Sequence, residues 1–154
     1  MRALIPVLDS VNALPAVRHV IRESLHGERY DVQLVDVRSP LGHALKGWLT
    51  ADPLKPATEV LDRFHVRHTV RRLEARNRAR AIAAAASRDG ADAIVLGAAR
   101  YRSATRMRED AVIQKLLEVA RVPVVVVSGK EVSRIERYGV AAGLGATLGL
   151  IFFG

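Results

Sequence analysis

The stretch with the clearest chemical layout in this 154-residue chain runs from Gly97 to Val127, GAARYRSATRMREDAVIQKLLEVARVPVVVV. It opens on a glycine after an apolar run and closes in a strand, the layout of a loop that holds phosphate on bare backbone. Such a cradle needs glycine where φ turns positive or where phosphate touches the main chain. Arg100 and Asp110 stand at points where glycine would serve, and Ala111 offers no hydroxyl. Arg100 could pair with a phosphate through its guanidinium, but its Cβ crowds the loop. At a helix start, where the pattern puts it, Asp110 suits the helix dipole and repels phosphate. Asp9-Ser10, after the apolar run 3–8, reads most simply as a helix cap.

Other chemistry is sparse. With no cysteine there are neither disulfides nor thiolate metal sites. His65 and His68, three apart on a strand pattern, point to opposite faces and make no metal pair. No Ser–His–Asp or paired-carboxylate arrangement stands out, so the chain reads as a binding protein rather than an enzyme. Charge is the stronger signal. Lys and Arg number 24 against 16 Asp and Glu, and the excess lies in residues 63–108, which carry 12 Arg against Glu74, Asp89 and Asp92. Arg71, Arg72, Arg76, Arg80, Arg102 and Arg106 mark this basic face. It reads as a solvated surface, as a contact for an acidic partner or anionic lipid, or, least of all, as a nucleic-acid surface. Between Arg71 and Arg106 Tyr101 is the lone aromatic, poor material for stacking bases.

These residues need a scaffold, and the pattern supplies one. ALIPVL (3–8) is a buried strand, and NALPAVRHVIRESLHG is a helix with Pro15 in its first turn and Gly27 as its stop. YDVQLVDV (30–37) is a second strand, followed by a Pro- and Gly-rich loop over 38–56. ATEVLDRF is a short helix, HVRHTVRR (65–72) an edge strand, and ARNRARAIAAAASRDG an alanine-rich helix ended by Gly90. ADAIVLG (91–97) is a two-sided buried strand, MREDAVIQKLLEVA an amphipathic helix, and VVVV after Pro123 a last strand. Strand and helix alternate five times, which predicts an α/β, doubly wound parallel sheet with helices on both faces. Pro6 is awkward in a central strand, since it cannot donate to a ladder. The N-terminal apolar run is too short to be read as a signal peptide.

The tail departs from this rhythm. Residues 139–154, GVAAGLGATLGLIFFG, carry no charge, and Lys130, Arg134 and Arg137 precede them. Gly139 and Gly143, and Gly145 and Gly149, are each four apart, which would give a helix a smooth packing face. As a helix the run rises about 24 Å, short of the roughly 30 Å hydrocarbon core, and Tyr138 with some thinning would extend it. The expectation is an apolar C-terminal helix over 139–154 behind a basic linker (129–138), serving as a membrane or partner anchor. Tyr138, Gly139, Gly143, Gly145, Gly149, Leu150, Ile151, Phe152 and Phe153 are its contact residues.

Over residues 1–128 the chain resembles the universal stress protein family. The carrying stretches are RALIPVLDSVNALPAVRHVI, VQLVDVRSPL, and RDGADAIVLG through RVPVVVV. The resemblance implies a five-stranded, Rossmann-like parallel sheet ordered 3-2-1-4-5, often dimeric through its last strand, with ATP held where strands one and four diverge. Its binding members carry an Asp-Gly-Ser-like first turn, and a loop of glycine, two residues, glycine, nine residues and Gly-Ser or Gly-Thr. Laid on this chain without gaps, Gly97 meets the first glycine, Arg100 the second, and Asp110-Ala111 the closing pair. In the first turn Leu8 takes the acid's position, Asp9 falls one residue late, and Ser10 matches. The four departures together point to lost ATP binding, leaving no cofactor. The expectation is a non-catalytic regulatory or accessory subunit on the cytoplasmic side of a membrane or on a membrane protein complex. The rival readings are a soluble ATP- or AMP-binding stress protein and a nucleic-acid-binding one.

Overall fold

The computed structural model describes residues 1–8, 10–40, 52–98, 104–128, 134–139 and 149–153. For 10–12, 98, 104–110, 128 and the two segments beyond, the backbone alone is described. Asp9, the loop residues 41–51 and the expectations on Arg100, Arg102, Gly143 and Gly145 lie outside those residues.

Strand β1 (Arg2–Val7) is apolar and buried on both sides, with Ala3, Leu4 and Ile5 fully inaccessible. Helix α1 (Ser10–Leu25) follows, and Ala13, Ala16, Val17, Val20 and Ile21 form its buried stripe at helical spacing. The helix starts before the sequence pattern places it. Pro15 therefore lies inside it rather than in the first turn, removing one backbone donation to the carbonyl four residues earlier. Burial of the alanine and valine stripe outweighs that single lost bond. Gly27, at φ 105°, ends the element in a conformation that side chains disfavour.

β2 (Asp31–Arg38), α2 (Lys55–Arg63), β3 (Arg67–Glu74), α3 (Arg78–Arg88) and β4 (Ala93–Ala98) continue the alternation. α4 (Ala104–Val119) and β5 (Val124–Ser128) complete it. All pairings among β1 to β5 are parallel, as the alternation predicts, and the order is β3-β2-β1-β4-β5, as the family resemblance implies. The period-two alternation of the strands sorts the core into two layers. Ile5, Val7, Val32, Leu34, Val95 and Val125 meet α1 and α2 on one face. Leu4, Val35, Val37, Ile94 and Leu96 meet α3 and α4 on the other.

The tail overturns one expectation. Residues Arg134–Gly139 form β6 and Gly149–Phe153 form β7, both antiparallel, extending the sheet to β3-β2-β1-β4-β5-β6-β7. Tyr138 and Gly139 thus lie in β6, and Gly149, Leu150, Ile151, Phe152 and Phe153 in β7, where a helix was expected. The reason is compositional. Five glycines over 139–154 each cost a helix about 1 kcal/mol, while Leu-Ile-Phe-Phe suits a strand. The edge of β5 also offers unmatched backbone donors and acceptors that a hairpin satisfies and a helix does not. The basic linker is in part the strand β6.

Candidate functional site

β1 pairs with β2 along its whole length, Arg2 to Val7, but with β4 only at Ala3 and Leu4, opposite Ala93 and Ile94. Beyond that point Val95, Leu96 and Gly97 pair with β5 alone. The two central strands therefore part at their C-terminal halves, where the chain winds outward in both directions, the position of the ligand crevice in doubly wound sheets. Pro6 lies beyond the end of the β1–β4 ladder, so its missing donor removes no bond on that side.

The crevice is bordered by Leu8, the start of α1 at Ser10, Gly97 and Ala98 at the end of β4, and the start of α4 at Ala104. Leu8, on the family's acid position, packs against the apolar cluster under α3 and α4. It brings no charge to the mouth. Asp110 is not at a helix start: α4 begins at Ala104, six residues earlier, so Asp110 lies in its second turn. The helix-dipole argument fails at that distance, because the effect fades within the first turn. Ala111 beside it is exposed.

Two carboxylates near this rim escaped the sequence reading. Asp36, only 4% exposed, accepts from Arg38 Nε at 2.7 Å near the C-terminal end of β2. Asp52 accepts from the Leu54 backbone N–H at 3.1 Å and from Arg72 Nη2 at 2.7 Å. The Leu54 hydrogen bond is the largest influence on its carboxyl; burial opposes it, and the Arg72 guanidinium adds to it, so the carboxyl lies below the ordinary range. A signal for Asp36 was present: it is the lone charge within LVDV.

At the opposite end of the strands Arg2, Asp31, Gln33, Thr69 and Asp89 line a cleft of about 190 Å³. Asp89 follows the last turn of α3. Its Oδ2 accepts from Gln33 Nε2 and Arg71 Nη1, each at 2.8 Å, and its Oδ1 from Arg88 Nε at 3.1 Å. The Arg88 and Gln33 hydrogen bonds, then Arg71, lower its pKa from 3.8 to about 2. The Gln33 Oε1 is buried without a partner, because the amide must turn its N–H toward Asp89. Arg2 Nη1 also donates to the Asp89 carbonyl at 2.6 Å, which ties β1 to the end of α3. This cluster is a structural clasp.

The predicted basic face is divided by these pairings. Arg71 and Arg72 of β3 are each held by an acid, while Arg76 and Arg80, around the start of α3, are exposed. Arg106 falls in the first turn of α4. His65 is the turn before β3, with φ 53°, and His68 lies in the strand. Among the described residues no group of three His, Asp or Glu is placed to hold a metal, and no helix is long and apolar enough to cross a membrane.

No curated protein matches the sequence. Solved structures do match in fold. One universal stress protein in complex with cAMP has 11% identity and a TM-score of 0.60, the match covering 84% of this chain and 98% of that one. A universal stress protein family protein from Arabidopsis thaliana with AMP bound has 13% identity and a TM-score of 0.62, covering 85% and 93%. A family protein from Burkholderia pseudomallei has 21% identity and a TM-score of 0.54, covering 80% and 94%. The family profile described as the universal stress protein family matches residues 1–128, all of β1 through β5. The chain belongs to the universal stress protein family.

Proposed function

We propose that this chain is a non-catalytic regulatory or accessory subunit that docks through residues 139–154 to a membrane surface or an integral membrane protein complex, on the cytoplasmic side. Family-type ATP binding is lost in this reading. The observation that carries it is a chargeless run of 16 residues whose last strand, β7, forms the outer edge of the sheet. Natural edge strands are usually blunted by charge or proline, and Gly149–Phe153 has neither. An open edge cannot cross a hydrocarbon core, since its free N–H and C=O groups would go unpaired. Engagement is therefore with a partner protein or at the interfacial layer, where Lys130, Arg134 and Arg137 against Glu131 and Glu136 leave a small positive excess toward an anionic leaflet.

The test is fractionation of the full-length protein beside a truncation ending at Ser128. The expected result is full-length protein that stays with membranes through a high-salt wash and a truncation that does not. Full-length protein found wholly in the supernatant would sink the docking reading.

A second reading, a nucleotide-binding stress protein, is favoured by the crevice between β1 and β4 and by the neighbours that hold cAMP and AMP. Titration of ATP and AMP into the purified chain separates the two. Under the first reading neither binds. Replacing Leu8, Arg100, Asp110 and Ala111 together by Asp, Gly, Gly and Ser then raises ATP affinity by about tenfold or more, each tenfold being about 1.4 kcal/mol. Tight ATP binding by the unaltered chain would overturn the loss.

A further inference from the structure

The edge opposite the tail carries a second surface. β3 closes the sheet at its other end and pairs with β2 over all eight residues, Arg67 to Glu74. Among the described residues no strand pairs its outer side, so alternate backbone N–H and C=O groups along it face outward.

Three features of this edge converge. The strand's own charge is mostly positive, Arg67, Arg71 and Arg72 against Glu74, with Asp89 and Asp52 pairing Arg71 and Arg72 and Asp62 lying 3.7 Å from His68. Arg67, and Arg63 at the end of α2, form no ion pair with a described residue, and Arg71 shares the single carboxylate of Asp89 with Arg88. Two large apolar side chains lie open beside the charge, Val70 at 47% exposed and Phe64 at 48%. Phe64 caps α2 and His65 turns the chain from it into β3, so the aromatic sits at the entrance to the strand. Finally, the side chains alternate by face. Arg67, Thr69 and Arg71 share one face, and His68, Val70 and Arg72 the other.

We infer that the β3 edge is a docking site for an acidic, extended protein segment that adds to the sheet as a further strand. Backbone hydrogen bonds supply the attachment, and side-chain alternation supplies the choice of partner. Acids on one face of the added strand meet Arg67 and Arg71. On the other face an apolar residue covers Val70 between His68 and Arg72. A second copy is a poorer fit: paired antiparallel over the whole strand it sets Arg67 opposite Glu74 but Val70 opposite Arg71, so no apolar residue covers the valine. The combination of arginine with an open aromatic is typical of interface centres rather than of plain solvated surface. This site is independent of the tail and stands whether or not the tail docks.

The probe is a fluorescein-labelled peptide of alternating Glu and Val, titrated into the full-length protein by anisotropy. Three controls accompany it: the Lys–Val counterpart, a Glu–Val peptide N-methylated at alternate residues, and a single-stranded oligonucleotide. Binding of the Glu–Val peptide alone is expected, weakening with salt and falling about tenfold in Arg67→Glu and in Val70→Glu. Both positions are exposed, so neither change threatens the core. Equal binding of the N-methylated peptide, which keeps the charge and loses the donors, would overturn strand addition. Tighter binding of the oligonucleotide, lost in the same variants, would reassign the edge to nucleic acid. Absence of binding by any probe would remove the site.

Discussion

Asp89 answers for two guanidiniums and an amide, and its neighbourhood shows how one acid disciplines an arginine-rich segment. Its lowered pKa has a consequence of fixed sign. The folded state binds the carboxylate more tightly than the unfolded chain does, so this contribution is complete above the ordinary value of 3.8 and fades as pH falls toward about 2. Asp89→Asn is expected to cost about 1–2 kcal/mol in urea unfolding at neutral pH. The difference from the parent should close at acid pH. A gap that persists unchanged down to the acid limit would mean that the clasp does not act through charge. The number of arginines is legible in the sequence, but which of them are neutralised is not. Asp89 and Arg71 are 18 positions apart, and only the pairing of β3 with β2 and the end of α3 brings them together.

At the scale of elements, α3 is a helix under opposing influences. Asn77 caps it, accepting from the Arg80 N–H at 3.1 Å, but no acid lies in its first turn and Arg78 and Arg80 add positive charge to a positive dipole end. Asn77→Ala is expected to cost about 1 kcal/mol through loss of the cap. Asn77→Asp is expected to keep the cap and add roughly 0.5 kcal/mol by placing a negative charge there. Thermal unfolding of the pair checks the sign of both. Deeper in the same helix, Ile82 is fully buried against the sheet, and Ile82→Ala should cost about 2–5 kcal/mol. The alanine-rich pattern made this helix easy to read. The tail was misread because chargelessness and glycine spacing fit either element, and the deciding factor, an unpaired β5 edge beside it, is not a local property.

At the scale of the molecule, the order of strands separates what the sequence seemed to combine. The apolar edge β7 and the basic edge β3 lie at opposite ends of a seven-stranded sheet, about 29 Å apart at ordinary strand spacing. A flat membrane cannot meet both edges at once. The chain is better described as having two terminals, one apolar and one basic, joined by a rigid sheet. Strand β6 also pairs the edge of β5, the edge through which the family resemblance implies dimerisation. Removing residues after Ser128 is expected to uncover that edge and raise the molar mass in light scattering from that of the full-length assembly by one further pairing. A truncation with the same number of chains as the full-length protein would show that covering β5 is not what sets the oligomeric state.

The sequence by itself determined the family and the alternation of strand and helix, and through the family resemblance the order of five parallel strands. These are carried by apolar runs, periodicity and spacing, all local along the chain. Tertiary structure decided that β1 and β4 part after Leu4, that Asp110 lies within α4, and that Asp36, Asp52 and Asp89 select which arginines remain available. It also decided that the tail ends in a strand. Each of these depends on which distant segment lies alongside, and that is fixed by pairing and burial rather than by any neighbour in sequence.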